Sequence, residues 1–316
     1  VTFNDGGGDG SIDLADAAAL TIGTSGANIV VNVPILGTAG GSSTDVTLNA
    51  GAGNVTVEDM GTDVNDVILT GTTISIDGTI ETADLSGSDP GGITLNGALT
   101  LAGNVTLDTD SGNGPISVTG AVNASNAGTE TLTISSGSGA VDIGGVIGGT
   151  AGDHLGGLAI NAQGASTGTG QIDIAGIGGA AEYGVEGVTT IGNTASAGVD
   201  FDGTTYTVDG ALTVTATSTG EAITFSGGGA TTVLTKADAT QFNTGVINLA
   251  ASTPLTIRSD GGAISINSIM GADSGDNDVT INANDDYDGD NNGETIATET
   301  ITIGAVGSGD EIGKLT

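Results

Sequence analysis

The chain has 316 residues, of which 38 are acidic and only three are Lys or Arg, so its formal net charge is −35 at pH 7. This charge excludes proteins that hold nucleic acid or an anionic membrane surface through lysine and arginine. The absence of cysteine excludes a disulfide framework, and no run of apolar residues is long enough to predict insertion into a membrane.

Glycine accounts for 59 residues, without the three-residue period of collagen, and proline for only four. Aliphatic residues are plentiful, so the glycine indicates tight turns and not disorder. Aromatic residues make up 2% of the chain and tryptophan is absent. A narrow interior filled by stacked aliphatic side chains needs few rings. The composition therefore favours an elongated repeat protein.

The first segment with a local signal is DLADAAAL, where Asp13 is a candidate N-cap and the alanines favour a short helix up to Leu20. From Ile29 onwards, apolar and polar residues alternate over short stretches separated by Gly-, Asn- and Ser-rich turns. Alternation with period two is typical of strands with one buried face.

Residues Pro115 to Gly164 contain two copies of one repeat, and each copy is predicted to form a strand, a turn, a second strand and a second turn. The same unit can be laid over most of the chain, with 14 to 19 residues between its two strands. The predicted first anchors are Val31, Ile74, Ile116, Val141, Ile172, Ile264 and Ile301, and the second anchors are Val46, Ile93, Leu132, Leu158, Val188, Val279 and Leu315. A constant spacing within units and variable linkers between them predict an all-β parallel β-helix, or β-solenoid, with variable corner loops.

We expect one solenoid over residues 1–316, as a segment of a longer array or as a filament subunit. At about 25 residues and about 4.8 Å per coil, the rod would be about 60 Å long. Residues 196–262 are less regular and hold three of the four Phe residues, which predicts either a wider core or an insertion with a recognition surface. Strand-like sequence at both ends predicts open edges that pair with a neighbouring coil.

The phrases GNVTLDTDSGNGPISVTGAV, AVDIGGVIGGTAGDHLGGLAI and ITIGAVGSGDEIGKLT resemble the repeats of filamentous-haemagglutinin-like proteins and related giant bacterial surface adhesins. The likeness is one of repeat style and extends loosely over nearly the whole chain. It implies a right-handed parallel β-helix, secretion to the extracellular bacterial cell surface, and a role in a stalk or filament.

Residues Asp288–Glu299, DGDNNGETIATE, satisfy the calcium-loop pattern D-x-[DN]-x-[DN]-G-x₅-E. The candidate Ca²⁺ ligands are Asp288, Asp290, Asn292 and Glu299, with Asp285 and Asp286 as spare ligands. The apolar position of an EF-hand loop is displaced here by one residue, to Ile296, and predicted strands, not helices, flank the loop. A true EF-hand is therefore not expected. The pattern therefore predicts a calcium-binding corner loop, with an acidic solvated turn as the alternative. Residues Asp5–Asp16 are a weaker echo without the ligand at position 3.

Asp142 and Asp173 each lie between two apolar anchors, so both are predicted to point outwards on successive coils, about 4.8 Å apart. Like charges this close repel unless a cation bridges them or one takes up a proton. The pair therefore predicts a bound cation. The middle positions of the second strands predict a threonine ladder of Thr47, Thr94, Thr133, Thr189 and Thr280.

Catalysis is not expected. Enzymes on parallel β-helices pair carboxylates with Arg, Lys or His, and this chain has only Arg258, Lys236, Lys314 and His154. None of the four lies beside a clear acidic constellation in the sequence, and His154, in a Gly-rich turn, is predicted to be a solvated loop residue.

The sequence therefore favours a structural or adhesive building block of an extracellular filament, stalk or matrix, stabilised by calcium. Its partner would be itself, as an end-to-end homopolymer or as adjacent repeats of the same chain, through open solenoid strands. The alternative is a calcium-dependent adhesin module that binds glycans or cell-surface ligands through residues 196–262.

Overall fold

The computed structural model describes residues 1–4, 10–38, 44–61, 63–83, 90–109, 112–161, 171–179, 183–193, 198–216, 222–236, 239–260, 262–271, 277–283, 300–306 and 314–316. Within these ranges the chain consists of short strands joined by turns, and no helix there is long and apolar enough to cross a membrane. The strands are β1 (Thr2–Asn4), β2 (Ile12–Asp13), β3 (Leu20–Gly23), β4 (Ile29–Asn32), β5 (Ile35–Leu36), β6 (Val46–Asn49), β7 (Val55–Val57), β8 (Met60–Gly61), β9 (Val67–Glu81), β10 (Ile93–Asp108), β11 (Ile116–Val118), β12 (Val122–Ala124), β13 (Thr131–Ser135), β14 (Val141–Ile143), β15 (Gly157–Ile160), β16 (Gln171–Ile174), β17 (Thr189–Ile191), β18 (Gly198–Phe201), β19 (Thr205–Val208), β20 (Leu212–Thr215), β21 (Ala222–Phe225), β22 (Thr231–Thr235), β23 (Thr240–Leu249), β24 (Leu255–Ser259), β25 (Ile264–Gly271), β26 (Asp278–Asn282), β27 (Ile301–Val306) and β28 (Lys314–Leu315).

The strands wind into a coil that crosses three faces in each turn. Strand β9 shows the route, because its first residues pair with β6, its middle with β7 and its last with β8. The pairing between successive turns is parallel wherever the strands are described, as for β9 with β10. The prediction of an all-β parallel solenoid is therefore confirmed.

We number the faces by the strands that form them. Face 1 consists of β1, β4, β7, the middle of β9 and of β10, β12, β19, β22, β24, β26 and β28. Face 2 consists of β2, β5, β8, the ends of β9 and β10, β13, β15, β17, β20, and the first parts of β23, β25 and β27. Face 3 consists of β3, β6, the starts of β9 and β10, β11, β14, β16, β18, β21, and the second parts of β23, β25 and β27.

Alternate residues of each strand point into one continuous aliphatic core, because side chains along a strand alternate between its two sides. In β11, Ile116 and Val118 are buried and Ser117 between them is not. The inward residues of successive turns lie in register, as Ile116 does with Val141. The core is thus a set of aliphatic columns parallel to the long axis.

The aromatic side chains of β18 to β23 lie inside this core. The rings of Phe201 and Phe225 stack with centroids 4.9 Å apart, Tyr206 meets Phe201 edge-on at 4.7 Å, and Phe242 lies 6.2 Å from Phe225. The Tyr206 hydroxyl donates to the Ile174 carbonyl at 2.9 Å, and burial raises the pKa of this hydroxyl. The described strands between residues 198 and 260 remain within the three faces.

Glycines stack where the coil turns from face 2 to face 3. A Cβ atom on Gly114 would collide with the carbonyl oxygen of Gly91, and one on Gly139 with that of Gly114. At this corner the backbones of successive turns approach too closely for any side chain. The stacking explains part of the glycine excess.

The prediction of two strands per repeat was wrong, since each turn crosses three faces. The third strand is easily missed because it is short: β12 has three residues, and on the next two turns face 1 is continued only by single bridging residues, Ile147 and Ile177. As a result the predicted anchors change face along the chain. Val31 lies on face 1, for example, and Ile116 on face 3.

Three local predictions also differ from the structure. The run after Asp13 forms a turn between β2 and β3 and not a helix. Val188 is 61% exposed, whereas Thr189 is fully buried and aligned with Leu158, so the predicted register there is wrong by one residue. The threonine ladder is accordingly not one column, because Thr47 and Thr94 lie on face 3, Thr133 on face 2 and Thr280 on face 1.

Candidate functional site

The predicted calcium loop lies outside the described residues, and this applies to Asp285, Asp286, Asp288, Asp290, Asn292 and Glu299 alike. The weaker loop near the start is described only in part. Its Ile12 begins β2, and its Asp16 is exposed, but Asp5 and Asp9 are outside the described ranges. The calcium loops therefore remain predictions.

The structure does place Asp142 and Asp173, the other predicted cation ligands. They occupy the central positions of β14 and β16 and face each other in register on face 3. Asp200 on β18 continues the column on the next turn. We call these three residues the aspartate column. Ser117 and Thr224 are its register neighbours on the turns to either side.

Neighbouring strands in a parallel sheet lie about 4.8 Å apart, so the backbones of the three aspartates follow one another at about that spacing. Asp142 is exposed, whereas Asp173 and Asp200 are half-buried. The Gln171 side chain donates from Nε2 to Oδ1 of Asp173 at 2.7 Å, and Ser226 donates to Oδ2 of Asp200 at 2.9 Å. The other oxygen of Asp200 is buried and has no hydrogen-bond partner within the described part of the chain.

The surroundings of the column raise the pKa of two of its members, Asp173 and Asp200. Burial raises the pKa of Asp173, and the hydrogen bond from Gln171 lowers it in part. The carboxylates of Asp200, Asp142 and Asp202 raise it further. Burial likewise raises the pKa of Asp200, whose own hydrogen bond lowers it and whose neighbour Asp202 raises it. Repulsion in the column can be relieved by a proton or by a cation.

The three aspartates of the column lie in a line and do not surround a common point. Among the described residues, no three carboxylate or imidazole groups converge on one point as a metal ion held by protein alone would require. A cation would therefore lie between adjacent carboxylates, such as Asp173 and Asp200, and complete its coordination with water.

Asp200 was missed in the sequence, although a signal was present. It forms the tripeptide Val199-Asp200-Phe201, an aspartate between two apolar residues, as Asp142 and Asp173 also do. Stacked turns place such tripeptides in one column when they belong to the same face.

A second group of polar and aromatic side chains lies at the corner between faces 1 and 2. Nε2 of His154 is 3.3 Å from Oε2 of Glu186, and the His154 ring centroid is 4.7 Å from that of Tyr183. The ammonium group of Lys236 lies 5.0 Å from the centre of the Tyr183 ring. We call these four residues the corner cluster. His154 lies in a loop, as expected, but its side chain is less solvated than the sequence predicts, since it is only 16% exposed.

Close to this corner, Glu130 is buried and held by three hydrogen bonds. Ser125 donates to Oε1 at 3.0 Å, and Asn126 donates through its backbone N–H to Oε2 and through its side chain to Oε1. Burial raises the pKa of Glu130, but these hydrogen bonds outweigh it and hold the pKa below its ordinary value. Glu130 is therefore ionised, and its carboxylate holds the loop at Ser125 and Asn126 by accepting their hydrogen bonds.

Comparison of the chain with protein-family models, with curated proteins and with solved structures finds no match.

Proposed function

We propose that this chain is a structural or adhesive building block of an extracellular filament, stalk or matrix. Its coils would continue end to end into further coils, supplied by the same polypeptide or by another copy. The mechanism is mechanical, with backbone hydrogen-bond ladders along the long axis and aliphatic columns in the centre.

The observation that carries this proposal is the state of the last described turn. Ile301 and Leu315 are 44% and 45% exposed, although their register partners on the preceding turn, Ile264 and Val279, are fully buried. These side chains continue the core columns, and among the described residues they are covered on one side only. A further turn on this edge would bury them and would pair its backbone with β27.

We include calcium in the proposal as the ion that relieves the self-repulsion of so acidic a rod. The aspartate column and the predicted loop from Asp288 to Glu299 are the two places where it would bind. Localisation at a bacterial cell surface rests on the resemblance of the repeats to giant adhesins.

The adhesin-module alternative assigned recognition to residues 196–262. The rings of Phe201, Phe225, Phe242 and Tyr206 are all buried in the core. They are therefore not available to stack on a glycan, and we favour the structural role.

The edge of β27 offers a sharp test of end-to-end stacking. The N–H of Ile264 donates to the carbonyl of Thr300, so by the alternation of a parallel ladder the N–H of Thr302 points back to β25 and that of Ile303 points away from it. An Ile303→Pro substitution removes a donor only from the outer edge. The matched control, Ile303→Val, keeps that donor.

Electron microscopy of the purified chain with calcium should show filaments for the wild type and for Ile303→Val, and short rods for Ile303→Pro. A chelator should shorten the wild-type filaments if calcium stabilises the joints or the column. Short single rods for the wild type in both conditions would contradict end-to-end stacking.

A further inference from the structure

Face 2 differs from the other faces in its charge. On β13, β15, β17, β20, β23, β25 and β27, the central outward residues form one column in register: Thr133, Ala159, Thr190, Thr213, Gln241, Ser265 and Thr302. None of them is charged. The adjacent outward column, from Thr131 to Thr300, reads Thr, Gly, Val, Ala, Ala, Ala, Thr and is also uncharged. We call these two columns the neutral strip.

The other two faces carry charge over the same turns. Face 3 presents the aspartate column, and face 1 presents Arg258 on β24. The chain has 38 acidic residues, yet face 2 keeps a strip seven strands long without any charged side chain. Two copies of the chain repel through most of their surface, but the neutral strip itself contains no carboxylate. The nearest carboxylates, Glu186 and Asp209, lie at its edge, two residues before Val188 and Ala211.

The relief of the neutral strip is self-complementary. Val188, on the turn of β17, is 61% exposed, the largest exposed fraction among the large apolar side chains of the described part. Suppose that two strips meet face to face, with the long axes of the two rods antiparallel and the contact centred on β20. Val188 of each copy, beside β17, then lies opposite the coil that contains β23 in the other copy. The residue at the matching position there is Ala239, whose small side chain leaves room for the valine.

We propose that two copies of this chain pair side by side, antiparallel, through the neutral strip, with Thr213 at the two-fold axis. Flat sheet faces pack well against each other, and a two-fold contact uses the same surface on both copies. This lateral contact uses the outward side chains of face 2, whereas end-to-end stacking uses the outer backbone edge of β27.

The size of the strip predicts the strength of the contact. Seven strands at about 4.8 Å, and two columns that each take two residues at about 3.3 Å, give roughly 450 Å² per copy. Stable complexes bury about 800 Å² per partner, so one pair of chains should associate weakly. Salt should strengthen the pairing, because it screens the repulsion between the acidic surfaces.

The chain has no cysteine, so single-cysteine variants report the contact directly. Thr213→Cys should give a covalent dimer with a short bismaleimide at about 1 M NaCl, where the screening length is about 3 Å. Thr133→Cys lies six strands from its counterpart on an antiparallel partner, about 29 Å away, and should not cross-link to itself. Thr224→Cys is the matched control, at a central outward position on face 3.

A second measurement uses the wild-type side chains. Sedimentation equilibrium in high salt should detect a dimer, and the double variant Thr190→Asp with Thr213→Asp should weaken it at least about tenfold, because like charges would then face each other. Thr224→Asp should leave the dimer unchanged. Ile303→Pro should also leave it unchanged, which separates a failure of this proposal from a failure of end-to-end stacking.

Equal cross-linking at Thr213 and Thr224, or a monomer at high salt, would overturn the proposal. Equal cross-linking at Thr133 and Thr213 would overturn the antiparallel arrangement. A strictly monomeric chain would leave the neutral strip to another occupant, such as a polysaccharide surface.

Discussion

Asp173 faces Asp200 in register across β16 and β18, and both carboxylates are half-buried. The folded chain raises the pKa of each, with burial as the largest cause. A raised pKa in the folded state means that folding favours proton uptake. The stability linked to these groups is present below the ordinary pKa of aspartate and is lost as the pH rises through the raised values.

Asp173→Asn should therefore stabilise the chain at pH 7. The substitution removes the central charge of the column and keeps an oxygen to accept the hydrogen bond from Gln171. We expect a gain of about 0.5 kcal/mol, because water screens repulsion between partly exposed carboxylates. Urea unfolding at pH 7 and near pH 4 would measure it, and the gain should shrink at the lower pH.

The matched control is Asp278→Asn, whose register partner is Lys314 and not a carboxylate. Its neutralisation should bring no gain. Added calcium should also stabilise the wild type more than Asp173→Asn. Equal effects of both substitutions at pH 7 would mean that general charge reduction is responsible, and not the column.

Glu130 should show the opposite pH dependence. Burial raises the pKa of Glu130, but the hydrogen bonds from Asn126 and Ser125 outweigh it, so the folded value is lowered. Its contribution to stability is then present above the ordinary pKa of glutamate and is lost as the pH falls through the lowered value. Glu130→Gln replaces one carboxylate oxygen by an amide N–H₂, which cannot accept a hydrogen bond from Asn126 or Ser125.

We expect Glu130→Gln to destabilise the chain by about 1 to 2 kcal/mol at pH 7. The difference from the wild type should narrow in unfolding curves recorded at acid pH. Glu58→Gln, at a half-exposed position after β7, is the control and should have little effect. A constant penalty at every pH would show that the shape of the side chain matters and not its charge.

The sequence predicted the fold class and the pairing of Asp142 with Asp173, because alternation and unit spacing are repeated along the chain. It did not predict the third face, since a single bridging residue such as Ile147 leaves no alternation to detect. Val188 was misassigned because it stands beside Thr189, another β-branched residue, and either register has an apolar side chain near the core. The structure aligns Thr189 with the buried Leu158, so Thr189 points inwards and Val188 outwards.

The corner cluster could not be predicted for a different reason. His154 and Glu186 are 32 residues apart and meet because loops of successive turns leave the coil at the same corner. Such contacts depend on loop length and on the path of the coil, and neither has a local sequence signal. Asp200 could have been found, given the number of faces.

Thr189→Val should stabilise the chain. The Thr189 side chain is fully buried, and its hydroxyl has no hydrogen-bond partner in the described part of the structure. Valine has nearly the same shape without the polar group, so we expect a gain on the order of 1 kcal/mol in urea unfolding. Thr190→Val, at the adjacent outward position, should change stability little. A loss on Thr189→Val would show that the hydroxyl is satisfied.

The glycine corners provide the last prediction. A Cβ atom on Gly120 would lie 2.6 Å from the backbone nitrogen of Ala98 and from the carbonyl oxygen of Gly97, both on the preceding turn. Backbone atoms held by the ladder cannot move away without breaking the stacking, so Gly120→Ala should destabilise the chain by about 2 kcal/mol or more. Gly23→Ala is the matched control, because nothing lies within 4 Å of the position that its added methyl group would occupy. Thermal unfolding of the two variants should show a clear loss for Gly120→Ala alone, and equal midpoints would mean that the turns can separate at this corner.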